Sequence, residues 1–408
     1  MSRQLLSHSP DLTRLVEEGY EVSFESGLLL LGVPYLDAQG AIQWGRLTSA
    51  LETQTSPQER TASPVGDHTV HFIGASGEAQ DRPYDRHGNV MTDLMNQPNG
   101  PLNIGSGLIA SCQMSQKPVG EVKYVDYFEK MTTYASMLLV EVHSVDPEIS
   151  LRTHKPMATL EDESVHRYFD SATSRARIGA VMDKTVGQRI AIVGLGGTGS
   201  YILDALAKTH VAEIHLFDGD IFKPHNAFRA PGAVSLEQLQ AQPSKVAYHQ
   251  SVYDAMHRQV VPHETHIDGN NVAELGGFDF VFISIDAGPV KQVIVDELKR
   301  TKTPFVDTGM GVDQTGESLG GILRTTLVTW TREGELVHLE EGLLSVADDD
   351  EGYEQNIQIA ELNMLNAAHA IIAWKKHIGF YRDYGHEMAS AYTLDGNRIM
   401  NSGSGDED

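Results

Sequence analysis

The apolar positions of this chain follow two different rhythms. In the first 150 residues they come as short runs cut by glycine. Ser9-Pro10 reads as the N-cap and first turn of a short helix, with Leu12, Leu15 and Val16 on its inner side and Gly19 as its stop. Glu21 to Ser26, Leu28 to Tyr35 and Ala41 to Leu47 read as strands parted by Gly27 and Gln39-Gly40, which makes a β-meander. Thr53 to Asp67 is polar and holds two prolines, the pattern of a loop. His68 to Gly74 is another strand. Gly77 to Gly107 is rich in Gly, Pro, Asn and Asp and reads as a long irregular loop system. Asp126 to Leu139 returns to helical spacing, with Phe128, Met131, Ala135 and Leu138 on one stripe. The expectation is a small α+β domain over residues 1–150. Val145 to Glu163, with Pro147 and Pro156, reads as a linker.

The second rhythm predicts a domain over residues 165–400. Ile190 to Val193 is an unbroken apolar strand. A turn with Gly194, Gly196, Gly197 and Gly199 follows, then a helix to about Lys208. A second strand, Ile214 to Phe217, ends on Asp218. Strands and helices alternate to Val306, and Asp286 closes the strand Phe280 to Ile285. That alternation predicts an α/β fold with a Rossmann-like doubly wound sheet. Gly309 to Gly311 and Gly320-Gly321 mark a switch to strand-like runs, Ile322 to Trp330 and Glu335 to His338. Asn356 to Ile378 reads as a long helix, capped by Asn356 and ended by Gly379. Ala391 to Leu394 reads as the final strand, before an acidic Gly/Ser-rich tail at residues 401–408 expected to be disordered.

A strand, a glycine turn, a helix and a second strand ending on an acid form the fingerprint of a nucleotide site. Gly194 permits the sharp turn, Gly196 lets backbone approach a phosphate or ribose, and Gly199 lets helix and strand pack closely. The helix N-terminus offers N–H groups to an anion. The glycines alone would also suit a nicotinamide dehydrogenase. The chain then adds Asp220, Asn226, Arg229, Lys245 and Asp286. A dehydrogenase has no use for these, whereas an enzyme acting on a nucleoside triphosphate needs cations for the phosphates and a carboxylate for Mg²⁺.

In these elements the chain resembles the ThiF/MoeB and ubiquitin-activating-enzyme adenylyltransferases. Their pattern is a GxGGxG turn, an Asp-x-Asp after the second strand, an Asn and Arg in one run, a downstream Lys, and an Asp at a later strand end. The resemblance implies ATP and Mg²⁺ as cofactors, with Asp218 on the ribose. It places Asn226, Arg229 and Lys245 on the triphosphate, Asp286 on the metal, and Asp220 in support. It also implies a homodimer, with Arg175 as the arginine that reaches the partner's ATP. Lys291 stands where the family often has Arg, and Ala287 where it often has Asn. The implied reaction is adenylation of the C-terminal glycine of a ubiquitin-like protein, with a separate conjugating enzyme as a further partner. The N-terminal region shares its coarse element order with the ubiquitin-conjugating fold. The whole layout is similar to bacterial ThiF-domain proteins that carry an extra N-terminal domain.

Composition narrows the alternatives. A formal charge of −25 argues against a nucleic-acid partner. No apolar run reaches membrane-spanning length and the N-terminus lacks a signal-peptide core, so a cytoplasmic protein is expected. A single cysteine excludes an internal disulfide framework and a Cys-based zinc site. That residue, Cys112, reads as a packed small hydrophobe, with a displaced thioester nucleophile as the sharper alternative. His68 and His71 read as structural. Two other functions stay open: adenylation of another carboxylate or a tRNA-type substrate, and a nucleotide-bound scaffold without catalysis.

Overall fold

The computed structural model describes the chain apart from residues 1–8, 26, 52–66, 106, 119, 121–122, 158, 160–163, 287, 332–356 and 403–408. It divides into two compact units: Met1–Ser164 with Tyr168–Gly179, and Val165–Arg167 with Ala180–Asp408. The stretch read as a linker therefore groups with the first unit. Among the described residues no helix is long and apolar enough to cross a membrane.

The first unit is a helix-backed antiparallel sheet. Helix α1 (Pro10–Glu17) precedes the meander β1 (Val22–Glu25), β2 (Leu28–Leu36), β3 (Ile42–Ala50) and β4 (Thr69–Ile73). The irregular stretch contributes β5 (Met95–Gln97) and a small separate hairpin of β6 (Leu102–Asn103) and β7 (Ile109–Ala110). Strand β8 (Cys112–Ser115) completes a sheet of order β1-β2-β3-β4-β8-β5. The expected helix is α2 (Tyr127–Val142). Its start is fixed by carboxylates, which favour a helix N-terminus. Asp126 accepts the Glu129 N–H at 2.8 Å, and Asp11 from α1 accepts the Tyr127 N–H at 2.9 Å. Met131, Tyr134, Ala135 and Leu138 of α2 pack with Leu29, Leu31, Val33 and Tyr35 of β2. Helix α3 (Ser171–Ala176) belongs to this unit too.

The second unit is built on eight strands in the order β11-β10-β9-β12-β13-β14-β15-β16. These are β9 (Arg189–Val193), β10 (Glu213–Phe217), β11 (Val260–His263), β12 (Phe280–Ile283), β13 (Phe305–Thr315), β14 (Ser318–Val328), β15 (Ala389–Thr393) and β16 (Arg398–Ser402). The pairings from β11 to β13 are parallel, and those from β13 to β16 antiparallel. The principal helices are α4 (Gly197–Leu206), α5 (Lys245–Tyr253), α6 (Pro289–Thr301) and α7 (Ala360–His377). Strand β9 shows why helices cover both faces. Ile190 and Ile192 join one core with Leu203 and Trp374, while Ala191 and Val193 join another with Ile294 and Leu298. Alternate residues of one strand feed two layers, which is the doubly wound fold.

Two boundaries near the C-terminal end differ from the sequence reading. Helix α7 starts at Ala360 after Ile359 as N-cap; the expected cap, Asn356, lies outside the described residues. The last strand is not the one expected near Ala391. That strand is β15, and it turns back into β16, so Asn401 and Ser402 belong to a strand rather than to a tail. The Glu335 to His338 strand, and the polar loop except Asp67, lie outside the described residues.

Candidate active site

Three parallel strands deliver their C-terminal ends to one place, where open α/β sheets bind ligands. At the end of β9, Gly194 has φ +92, and a Cβ there would lie 2.4 Å from the Ser284 carbonyl oxygen of the β12 loop. Gly197 and Gly199 are also required by packing. Their Cβ atoms would come within 2.2 Å of the Asn363 amide and 1.9 Å of the Gly194 carbonyl oxygen. Gly196 is different, because nothing lies within 4 Å of a Cβ built on it, and it lines a cavity of about 360 Å³. Three glycines answer to the protein's own crowding; the fourth leaves room for a ligand. Gly196 caps the ten-residue helix α4 without any side-chain hydrogen bond, so the N–H groups of that first turn suit an anion.

At the end of β10, Asp218 is buried and fastens the turn. One carboxylate oxygen accepts the Leu195 N–H at 2.8 Å and faces Lys245 Nζ at 3.2 Å, while the other accepts the Asp220 N–H at 2.9 Å. Lys245, at the start of α5, also donates to Asp220 at 2.7 Å, and that bond is the main cause holding the Asp220 carboxyl below its ordinary range. Lys245 was expected on phosphate; here its ammonium is held between two carboxylates. Asp220 is more than half exposed and lies 3.6 Å from His266, another residue of the cavity wall.

Arg229 lines the cavity with its Nε buried and without a hydrogen-bond partner. Burial pushes its pKa down, and the charge of Asp286 opposes that shift. Asp286 follows β12, is exposed and lines the same cavity. Asn226 is buried, and its Oδ1 accepts the Lys223 N–H at 2.8 Å to close a single helical turn, Pro224–Ala227. Its Nδ2 is buried without a partner, although Asn226 is not among the cavity-lining residues.

The wall thus carries Asp218, Asp220 and Asp286 against Arg229 and Lys245. A bare triphosphate would meet excess negative charge, so a divalent cation fits the charge balance. Among the described residues no group of three or more His, Cys, Asp or Glu could hold a metal. Mg²⁺ needs no such cage, because it binds through one or two carboxylates together with substrate phosphates. The open cradle at Gly196 and the orphaned Arg229 Nε fit the nucleotide.

Two residues named in the sequence do not line this cavity. Arg175 is on α3, grouped with the first unit and not with the body that carries the cavity. Lys291, in the first turn of α6, is buried and paired with Asp307 of β13 at 2.6 Å. Burial pushes the Asp307 carboxyl upward and Lys291 draws it down. The next residue, Thr308, donates its hydroxyl to the Ile283 carbonyl oxygen at the end of β12. Successive residues of β13 therefore pin both ends of the loop that carries Asp286. Ala287 lies outside the described residues.

Residues 173–325 match the ThiF family. The second unit carries a ThiF domain. Residues 10–171 match a domain of unknown function (DUF6791), an extra domain before it. No curated protein matches the chain significantly. Among solved structures the chain is similar to E. coli MccB with AMPCPP and MccA, at 17% identity, 58% of this chain, 72% of that chain and TM-score 0.45. It is similar to PaaA at 14% identity, 68% of this chain, 94% of that chain and TM-score 0.45. For TcdA (CsdL) the figures are 19%, 51%, 92% and 0.39.

The sequence reading missed three residues of the second unit that shape the site. His266 and Gln358 line the cavity, and Asn363 of α7 accepts the Thr198 hydroxyl at 2.9 Å behind the glycine turn. Gln358 and Asn363 fall inside the helix expected over Asn356 to Ile378, and nothing in the sequence named their partners.

Proposed function

We propose that the ThiF domain uses ATP and Mg²⁺ to adenylate a carboxylate, and that this carboxylate is the C-terminal glycine of a ubiquitin-like protein. The observation that carries the reading is the meeting of Gly196, Asp218, Arg229, Lys245 and Asp286 around one cavity at three strand ends. The remaining lone pairs of Asp218 accept the ribose hydroxyls. The first turn of α4 and Arg229 hold phosphate oxygens. Lys245 trades a carboxylate partner for phosphate charge. Asp286 holds Mg²⁺, which neutralises the triphosphate when bound. A carboxylate oxygen attacks the α-phosphorus, the bond from that phosphorus to the bridging oxygen breaks, and pyrophosphate leaves with the electron pair. The nucleophile is already ionised, so no general base is needed, and the chain's work is positioning and charge stabilisation.

Two features support the proposed partners. Met364 and Ile372 stay exposed on α7, which supports a homodimer through the ThiF domain; light scattering that finds a monomer at micromolar concentration with ATP would remove it. Cys112 is fully buried on β8, which supports transfer of the acyl group to a separate conjugating protein.

The test is ATP–pyrophosphate exchange with small proteins ending in glycine. Exchange should depend on the added protein. In Asp286→Ala it should fall by about 100-fold or more with the circular dichroism unchanged. Wild-type exchange in that variant removes the metal assignment, and a chain that binds no ATP removes the reading.

A further inference from the structure

Gln358 lies in the extended segment just before α7, and its side chain lines the cavity. Its Oε1 is buried and has no hydrogen-bond partner. An unmade hydrogen bond at a buried amide costs about 1–3 kcal/mol, so the group is held ready for something the chain does not supply.

The fold says which side of the cavity this is. Helix α7 packs against α4, β13 and β14. Asn363 locks it there: it takes the Thr198 hydroxyl, lies against Gly197, and donates to the Ile359 carbonyl oxygen beside Gln358. The order β10-β9-β12-β13 puts Asp218 on one side of the glycine turn and α7 on the other. On the function proposed above, ribose occupies the Asp218 side and phosphates the turn. The attacking carboxylate enters from the remaining side, along Gln358, Asp286 and Val290.

The chemistry then chooses the ligand group. The orphaned atom is an acceptor, and neither phosphate nor carboxylate has a donor to give it. The N–H of the amide bond next to a peptide's terminal carboxyl is such a donor. A primary amide also offers N–H groups beside its oxygen, the complement of a peptide unit. We propose that Gln358 grips the last peptide bond of the substrate, and that this residue selects a peptide-linked C-terminal residue over carboxylates without that N–H. The inference rests on the adenylation reading but can fail separately from it.

The test uses two non-reactive acyl-adenylate mimics on the full chain with Mg²⁺. N-acetylglycyl-sulfamoyladenosine carries the amide N–H; O-acetylglycolyl-sulfamoyladenosine has an ester oxygen in its place. Titration calorimetry should show wild type preferring the amide by about tenfold or more. Gln358→Met should bring that preference within about twofold, while ATP affinity and circular dichroism stay at wild-type values. Gln358→Glu keeps an acceptor and should keep the preference. An unchanged preference in Gln358→Met overturns the assignment, and so does a parallel loss of ATP affinity, which would make Gln358 a nucleotide contact. If wild type binds ATP but does not distinguish the mimics, this inference falls and the adenylation reading stands. If it binds neither ATP nor mimic, the adenylation reading itself falls.

Discussion

Both units bury lysine, and Lys130 and Lys245, one from each, do different work. Lys130 of α2 is 2% exposed and donates to Ser49 Oγ and the Asp67 carbonyl oxygen, both at 2.9 Å. Lys245 of α5 is 8% exposed, touches Asp218 and Asp220, and forms part of a cavity wall. Nearly equal burial therefore says little about role. Lys130 is sealed between helix and sheet, whereas Lys245 faces an opening and is held by an acid, Asp220, that is itself more than half exposed. A charge whose counter-charge can move is available to a ligand. A charge sealed inside a core, with a backbone carbonyl and a hydroxyl among its partners, is a fastening.

Methionine at each position separates these roles. Lys245→Met should lower ATP–pyrophosphate exchange by about 100-fold, the scale of a lost transition-state contact. Lys130→Met should leave exchange within about twofold and cost about 1–3 kcal/mol in urea unfolding, because Ser49 and Asp67 lose a donor. Equal loss of exchange in both variants would collapse the distinction.

Acid should act on the second unit through two buried histidines. Burial pushes His249 and His257 down to about 4, against an unfolded value of about 6.5. Their folded pKa values are depressed, so between those values the unfolded chain binds more protons. Stability is then present above about pH 6.5 and lost as pH falls towards 4, by about 1.4 kcal/mol per pH unit for each histidine. Asp307, pushed upward by burial, works in the opposite direction. The melting temperature should drop across this window. The drop should shrink in His249→Leu, which also removes a buried ring nitrogen without a partner. A melting temperature that does not move between pH 6.5 and 4.5 would contradict this linkage.

The smallest effect is expected at Cys112. It faces the first unit's core, fully buried, and burial pushes its thiol up to about 12. A thioester needs a thiolate, so Cys112→Ala should leave exchange unchanged and cost on the order of 1 kcal/mol in stability. Gel analysis without reductant, after incubation with ATP and a glycine-terminated partner, checks it. A thiol-sensitive adduct that vanishes in the variant would move chemistry into the first unit and reverse the comparison.

The sequence was most informative where structure is local. The run from Ile190 to Asp218 could be read because strand period, glycine turn and terminal acid follow one another directly. Its strands and helix lie within a few residues of the reading. Asp126 could be read as a helix start for the same reason. Lys291 was read by spacing alone, and its true neighbour Asp307 follows from the register of β12 on β13, which no spacing reveals. Asn363 reaches the glycine turn, and Gln358 the cavity, only because α7 returns across α4, far along the chain. Arg175 marks a boundary that the sequence placed differently: it was read as part of the second domain, and the fold groups it with the first unit. The β15–β16 hairpin was half missed because its second strand is largely exposed and lacks an apolar alternation.

The Lys291–Asp307 pair limits how this sequence can drift. Removing either partner alone would strand a buried charge, at a cost of about 3–5 kcal/mol, whereas replacing both with apolar residues of similar volume is often neutral. The two single-step routes to such a pair pass through a weakened protein, so the positions are bound to change together or not at all. The Asp286 loop, pinned at its far end by Thr308, inherits that restraint. Variation reaching the metal end of the site is expected to arrive through the loop's own side chains before it reaches the two residues beneath it.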